Sequence, residues 1–343
     1  MQRRPTIHDV AAAAGVSVAT VSKAVNGRYG IAAATVARVM GVVEELGYES
    51  SLVASSMRSR RTGVVGVLVA DFEPFSSEVL KGVSTALRAA GGGHDLLAYS
   101  GARQGGAGGP DGGHDGWERR SLSRLSGTLV DGAILVTPTV VTASTSIPVV
   151  AVDPHTGRGD LPSVEGDSHG GALQAVRHLL ELGHRRVGFL GGRADLRSAS
   201  LREAGYRQAL ADAGIAHDPA LVRDGDFELV TARRAARSLL TAERRPTAVF
   251  AANDLSAIAL LRTADELGLR VPADLSVVVF DDIPEAARAE PPLTTVRQPL
   301  QALGAAAAEQ LLALLDGEEP ARRTVQLPTR LVVRETTAPP SRP

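Results

Sequence analysis

The chain has no cysteine among its 343 residues. That absence excludes disulfides, thiolate catalysis and cysteine-ligated zinc together. Aromatic residues make up only 3%, so each Phe, Tyr or Trp near a cavity carries more information than usual. No apolar run approaches the roughly 20 residues that a membrane-spanning helix needs. The opening MQRRPTIHDV has no apolar signal core, so a cytoplasmic chain without membrane association is expected. The eight histidines are scattered, with no pair at the i, i+4 spacing that suits a metal on a helix. No GxxxxGK[ST] cradle is present, and Gly191-Gly192 lacks the third glycine of a dinucleotide fingerprint. The reading is therefore of a protein without metal or cofactor.

What is present is ordinary globular composition, 44% hydrophobic and 22% charged, at a length that suggests two to three units. The formal net charge of -1 hides an asymmetry. Residues 1–61 carry eight basic side chains against four acidic ones, so the rest of the chain stands at -5. A small basic head on an acidic body points to a polyanionic partner for the head alone.

In the head, Thr6-Ile7-His8-Asp9 reads as a helix start: the Thr6 hydroxyl caps the amide of Asp9, and the carboxylate reaches back to the cap. Ile7, Val10 and Ala11 form its apolar face. Gly15 supplies the tight turn, Val16 packs into the joint and Ser17 opens a new helix. In that second helix Val21, Ala24 and Val25 face inward, while Val18, Ala19, Ser22 and Lys23 stay exposed, the pattern of a recognition helix. A third helix runs from about Ala33 to Leu46, is closed by Gly47, and packs through Val36, Val39, Met40 and Val43.

The run TIHDVAAAAGVSVATVSKAVNG resembles the helix-turn-helix of the lac repressor (LacI/GalR) family of bacterial regulators. The resemblance implies that Val18, Ala19 and Lys23 face base edges in the major groove and that Thr20, Ser22 and Asn26 meet backbone phosphates. The caps Thr6 and Ser17 count with them as DNA-facing residues. Lys23 can donate to guanine O6 and N7, whereas Val18 and Ala19 can only touch or exclude a thymine methyl.

Ser51 to Arg58 is too short to hold a helix alone in water. The resemblance implies a hinge helix that folds in the minor groove, with Met57 as the apolar wedge and Ala54 small enough for two such helices to approach. The family usually carries Pro-Asn after the tyrosine; this chain has Glu49-Ser50-Ser51 after Tyr48. Ser50 or Ser51 would then have to cap the hinge.

From Gly63 onward, short apolar runs alternate with amphipathic stretches. Strands are expected at 64–70, 96–99, 132–136, 149–152, 186–190, 248–251 and 277–280, which predicts parallel sheets with helices on both faces. Ligands on such sheets collect at the carboxyl ends of the strands. Asp71 and Phe75, Asp153, Asn253-Asp254 and Asp281-Asp282 fall there. VGVLVADFEPF, DGAILVTP, HLLELGHRRVGFLGG, REAGYRQAL, TAVFAANDLSAIALL, VPADLSVVVFDD, PPLTTVRQP and LPTRLVVRETTAPP extend the family resemblance over residues 5–338.

The expected fold is therefore α/β: a small all-α helix-turn-helix head plus a two-subdomain, periplasmic-binding-protein-like body of parallel sheets. The expected boundaries are 1–50 for the DNA-binding domain, 51–62 for the hinge and linker, and 63–338 for the effector-binding and dimerisation domain. Within the body, the N-subdomain takes about 63–160 plus 292–322 and the C-subdomain about 161–291 plus 323–338.

A sugar site needs forked donors and acceptors for hydroxyl pairs and an aromatic face for C–H bonds. Asp153 and Asp281 would accept, Asn253 would donate and accept, Arg202 would donate as a fork, and Phe75 and Phe227 would supply ring faces. Asp71 joins them by its strand-end position, and Ser198 and Gln298 by the resemblance. A purine is the alternative occupant, clasped by the same Phe and Arg. Gly101 to Gly116 reads as a mobile glycine-rich loop followed by an anchoring Trp117.

Three functions share parts of these features. A sugar-binding transport protein would need an export signal and no basic head. An enzyme could use Asp281-Asp282 for a metal, but no nucleophile, cofactor loop or general base accompanies them. A transcriptional repressor released from a palindromic operator by a small sugar needs no chemistry, only a coupling of about 1–3 kcal/mol between two sites. One head reads a half-site, so a homodimer is expected, with the helix at 76–90 as interface. Without a terminal heptad repeat, no tail-mediated tetramer is expected.

Overall fold

The computed structural model describes residues 5–25, 30–46, 61–91, 93–101, 117–126, 129–138, 146–155, 159, 161–193 and 196–341. It divides into a unit ending at Thr62 and a unit beginning at Gly63.

The first unit holds α1 (Ile7–Ala14), α2 (Val18–Val25) and α3 (Ala33–Leu46) around Val10, Ala11, Ala14, Val21, Ala24 and Val39. The Thr6 backbone N–H donates to Asp9 Oδ2 at 2.7 Å and the Asp9 N–H to Thr6 Oγ1 at 3.4 Å, a reciprocal cap. Gly15 ends α1 at φ 63°, in the left-handed region where a side chain would be strained. Ser17 Oγ accepts from the Thr20 N–H at 3.2 Å and opens α2. Four side chains depart from the sequence reading, Ser22 among them, half-buried rather than exposed. Val18 is half-buried against the head core rather than exposed, and Val25 only half-buried rather than fully inward. Met40 is 44% exposed, because the buried arc of α3 centres on Val39 and continues to Val42 and Val43. At about 100° per residue, Met40 is turned a quarter of the circumference away from it.

The second unit consists of two six-stranded sheets. The first contains β1 (Val64–Val69), β2 (Asp95–Ser100), β3 (Gly132–Val136), β4 (Val149–Val152), β5 (Ser163–Gly166) and β11 (Thr324–Leu327), ordered β11-β5-β4-β3-β1-β2. The second contains β6 (Val187–Gly191), β7 (Val222–Asp224), β8 (Ala248–Ala251), β9 (Ser276–Asp281), β10 (Thr294–Arg297) and β12 (Arg330–Val332), ordered β12-β10-β9-β8-β6-β7. Among the described pairs, only β10 with β12 is antiparallel. Strands such as VVGVLV are buried along their whole length because helices cover both faces. α4 (Pro74–Ala89) and α10 (Leu300–Leu315) cover one face of the first sheet, and α5 (Trp117–Leu125) the other. α6 (Ser168–Glu181) and α7 (Arg197–Asp212) cover one face of the second, α8 (Leu229–Leu240) and α9 (Asp254–Glu266) the other.

Sheet membership corrects the subdomain boundaries. The first lobe runs on through β5; β10, expected in the first lobe, pairs in the second; β11, expected in the second, pairs in the first. The chain crosses between lobes after Gly166, after Arg297 and after Leu327. The cause is local composition: SVEG, VRD, TTVR, TVQL and RLV are short and mix polar residues into the strand. Ser163, Glu165, Thr294 and Thr295 are buried inside strands, so the apolar-run signal fails there.

α4 and α10 touch backbone to backbone. A Cβ on Gly82 would lie 1.9 Å from the Gln301 carbonyl oxygen, and one on Gly304 would lie 2.1 Å from that of Val79. The outer side of α4 exposes Lys81, Thr85 and Arg88, so an interface on this helix would be polar. Among the described residues no helix is long and apolar enough to cross a membrane. Asn26, Gly47 to Ser51, the expected hinge helix with Ala54 and Met57, most of the glycine-rich stretch and the Trp117 side chain lie outside the described residues.

Candidate functional site

Strands of both sheets deliver their carboxyl ends to one cavity of about 620 Å³. The backbone marks the place. Among the described residues six non-glycines have positive φ: Thr137, Asp153, Asp226, Phe227, Asp281 and Asp282. All but Asp282 line the cavity. Such conformations cost on the order of 1 kcal/mol each and persist where surrounding structure enforces them, most often at binding sites.

Eight of the nine residues expected to contact an effector line this cavity: Asp71 from the β1–α4 connection, Phe75 in the first turn of α4, Asp153 after β4, Ser198 and Arg202 on α7, Phe227 after β7, Asn253 before α9, and Asp281 at the end of β9. Gln298 is the exception. It is buried behind Asp281, donating its side-chain amide to Asp281 Oδ1 at 2.8 Å and its backbone N–H to the Asp281 carbonyl at 3.1 Å. At the β10–α10 crossover it stands where it holds the Asp281 carboxylate in place.

Arg202 is 3% exposed. Its fork donates to the Ala252 carbonyl and, at 3.0 Å, to Asp281 Oδ1, while its plane rests 4.0 Å from the centre of the Phe280 ring. Its Nε–H has no hydrogen-bond partner. Asn253 Oδ1 accepts from the Ser256 N–H at 2.9 Å as the cap of α9, which leaves its amide N–H groups and one oxygen lone pair for the cavity. Asp153 Oδ1 accepts from the Gly166 N–H at 3.0 Å. Asp282 is turned to Arg297 and Arg334, which removes the carboxylate pair that a metal reading needs.

Burial shapes the acid chemistry. The Asp153 carboxyl is pushed up to about 6, by desolvation first, with the Gly166 hydrogen bond and Arg202 opposing. Asp281 is also raised by burial, against the pull of Arg202 and Gln298. Asp254, 1% exposed, lies well above the ordinary carboxylate range because it is buried and faces Asp281; its Oδ2 accepts from the Ile283 N–H at 2.7 Å. Ile283 and Leu255 of the second lobe in turn pack into the core of the first.

Phe75 packs against the core of the first lobe and Phe227 against that of the second, each also reaching the cavity. Gly192 makes room for Phe227: a Cβ there would lie 2.1 Å from the ring. The sequence reading missed Glu73, Thr137, His155, Arg193, Asp226 and Glu228, all of which line the cavity. Thr137 and Arg193 each stand within two residues of a strand's carboxyl end, so the strand-end rule held the signal for both.

On the head, Ser17, Ala19 and Lys23 are exposed and Thr6, Val18, Thr20 and Ser22 half-buried. Ser17 and Thr20 share a hydroxyl hydrogen bond of 2.9 Å, which fixes the start of α2.

Residues 6–51 match a family model described as bacterial regulatory proteins, lacI family, and residues 176–337 one described as a periplasmic binding protein-like domain. The chain is 34% identical to the HTH-type transcriptional repressor PurR of Aliivibrio fischeri (strain MJ11), over 96% of this chain and 98% of that protein. It is 35% identical to the HTH-type transcriptional regulator CelR of Thermobifida fusca, over 98% and 99%. Among solved structures it matches a CelR–cellobiose complex at TM-score 0.71 and 34% identity, covering 97% of this chain and 100% of that one. It matches the lac repressor dimer bound to operator and the anti-inducer ONPF at TM-score 0.83 and 29% identity, covering 98% and 100%.

Proposed function

This chain belongs to the lacI family of bacterial regulatory proteins, and from that premise we propose that it represses carbohydrate-utilisation genes in the cytoplasm, as a homodimer on a palindromic operator, until a small sugar releases it. That it is a DNA-binding transcriptional regulator and not an enzyme follows from the family. The sugar, the direction of the response and the dimer are the proposal.

The observation that carries the sugar reading is the cavity: about 620 Å³, within the range of about 300–1,000 Å³ usual for small-molecule sites, with acceptors, donors and ring faces from both lobes. Asp71, Phe75 and Asp153 come from one lobe, Arg202, Phe227, Asn253 and Asp281 from the other. A ligand touching both sets favours one degree of closure over another, and that difference in affinity is what shifts the protein between states. A purine clasped between Arg202 and Phe227 would need those planes about 7 Å apart, two stacking distances. The Arg202 guanidinium carbon is 5.8 Å from the Phe227 ring centre and its own plane is already stacked on Phe280.

In the head, exposed Lys23 and Ala19 support the base-edge roles. The roles of Asn26, Ala54 and Met57 rest on the family resemblance.

Selection of random double-stranded DNA on the purified protein at two salt concentrations tests the reading. The expected result is a palindrome with a central pyrimidine-purine step, bound specifically against a salt-dependent background and released by a sugar. No enrichment with or without sugars and purines overturns it. Release by a purine but by no sugar overturns the effector assignment alone.

A further inference from the structure

Taking the cavity as the effector site, we infer that the effector carries no negative charge and gains from a positive one, so that an amino-bearing carbohydrate fits best and a sugar phosphate or uronate is rejected. The inference rests on the reading of the cavity given above.

Its first support is the charge left over after pairing. Arg202 and Asp281 are committed to each other. Asp71, Glu73, Asp226 and Glu228 line the same cavity, and none of the four has a cationic partner among the described residues. Against them the described lining offers Arg120 and Arg193. The carboxyls stand on both sides of the cleft: Asp71 and Glu73 in the β1–α4 connection of one lobe, Asp226 and Glu228 between β7 and α8 of the other. A bound anion therefore meets like charge from two directions; Asp71 and Glu228 are exposed and Glu73 and Asp226 half-buried, so the repulsion is least screened at the latter two.

The second support is Glu73. Its carboxyl is pushed up to about 7 by burial, and further by facing Asp281 across the cleft and Asp71 beside it. It caps α4 with no side-chain hydrogen bond, so nothing in the helix start requires an acid there. The cavity already resists one more negative charge, and a ligand ammonium reverses that cost.

The test is thermal stabilisation of the full chain at about pH 8, where Glu73 is ionised, by matched compounds: glucose, glucosamine, glucuronate and glucose 6-phosphate, and the corresponding β-1,4 disaccharides. Adenosine and its monophosphate form a non-sugar pair. On whichever scaffold binds, the expected order is ammonium, then neutral, then anionic, with the anionic member at least about tenfold weaker than the neutral one. An anionic member as good as its neutral counterpart, or an ammonium no better, overturns the inference. Binding of adenosine alone refutes the sugar reading, and the monophosphate then decides the charge rule. Stabilisation by no compound overturns both. Glu73→Gln, and separately Asp226→Asn, which tolerates the left-handed backbone at that position, should reduce the discrimination at least about threefold. Undiminished discrimination in both variants removes these carboxylates from the argument.

Discussion

The guanidinium of Arg202 lies on the face of Phe280, 4.0 Å from the ring centre. The residue best suited to fork onto a ligand thus also packs the second lobe and neutralises buried Asp281. Arg202→Ala should abolish the effector response and destabilise the body, because removing one partner of a buried ion pair costs about 3–5 kcal/mol. Arg202→Met combined with Asp281→Asn should recover most of the melting temperature without recovering the response. A double variant no more stable than Arg202→Ala would contradict the pairing.

Acid groups raised in the folded state set a pH dependence whose sign is opposite to that of surface carboxylates. Asp153 moves from 3.8 to about 6 and Glu73 from 4.5 to about 7. Between the unfolded and folded values the native state holds more protons than the unfolded one, so their contribution falls as pH rises from about 4 through about 7. Urea midpoints at about pH 5 and about pH 8 should differ less in the direction of alkaline loss for Asp153→Asn with Glu73→Gln than for wild type. Identical pH responses would show that neither group is raised.

Gly304 sits where α10 meets the backbone of α4. Gly304→Ala places a methyl against the Val79 carbonyl and should cost about 1–3 kcal/mol by forcing the helices apart, even though alanine favours the helix itself. Calorimetry of the purified variant checks this; an unchanged or raised melting temperature would mean that the pair can slide.

The head offers two separable tests. Thr6→Ala removes the reciprocal cap with Asp9 and should cost the head about 1 kcal/mol, read as faster amide exchange in α1. Lys23→Ala should leave exchange unchanged and weaken binding to the selected operator by about 1–3 kcal/mol at one base pair, relaxing the preference there. Equal loss on every sequence would make Lys23 a phosphate contact instead.

How much of this was legible depended on where the signal lay. Caps, turns and buried runs such as Val277 to Phe280 announce themselves locally, and so do polar residues at the ends of such runs. Glu73 and Asp226 do not: an acidic residue in a connection looks like surface until the opposite lobe is set against it. Asn253 was read by residue type and Gln298 by the family resemblance, yet neighbours decide part of what they offer, since the Asn253 carbonyl already accepts from the Ser256 amide and the Gln298 amide already donates to Asp281. β10 to β12 escaped because threonines and arginines in a short strand carry no periodic mark.

The crossings of the chain between lobes have a consequence for its synthesis. β10, β11 and β12 all lie within 294–332, and they complete both sheets. β10 is an interior strand of the second sheet, and α10 covers one face of the first. A ribosome that has made only the first 290 residues has therefore released neither lobe in finished form, although most of both has already emerged. The head, with its own core in the first 62 residues, closes early, whereas the two sheets that carry the effector cavity are complete only when the last strands arrive. A regulator that is interrupted late in translation thus presents a DNA-reading head without a sensor behind it.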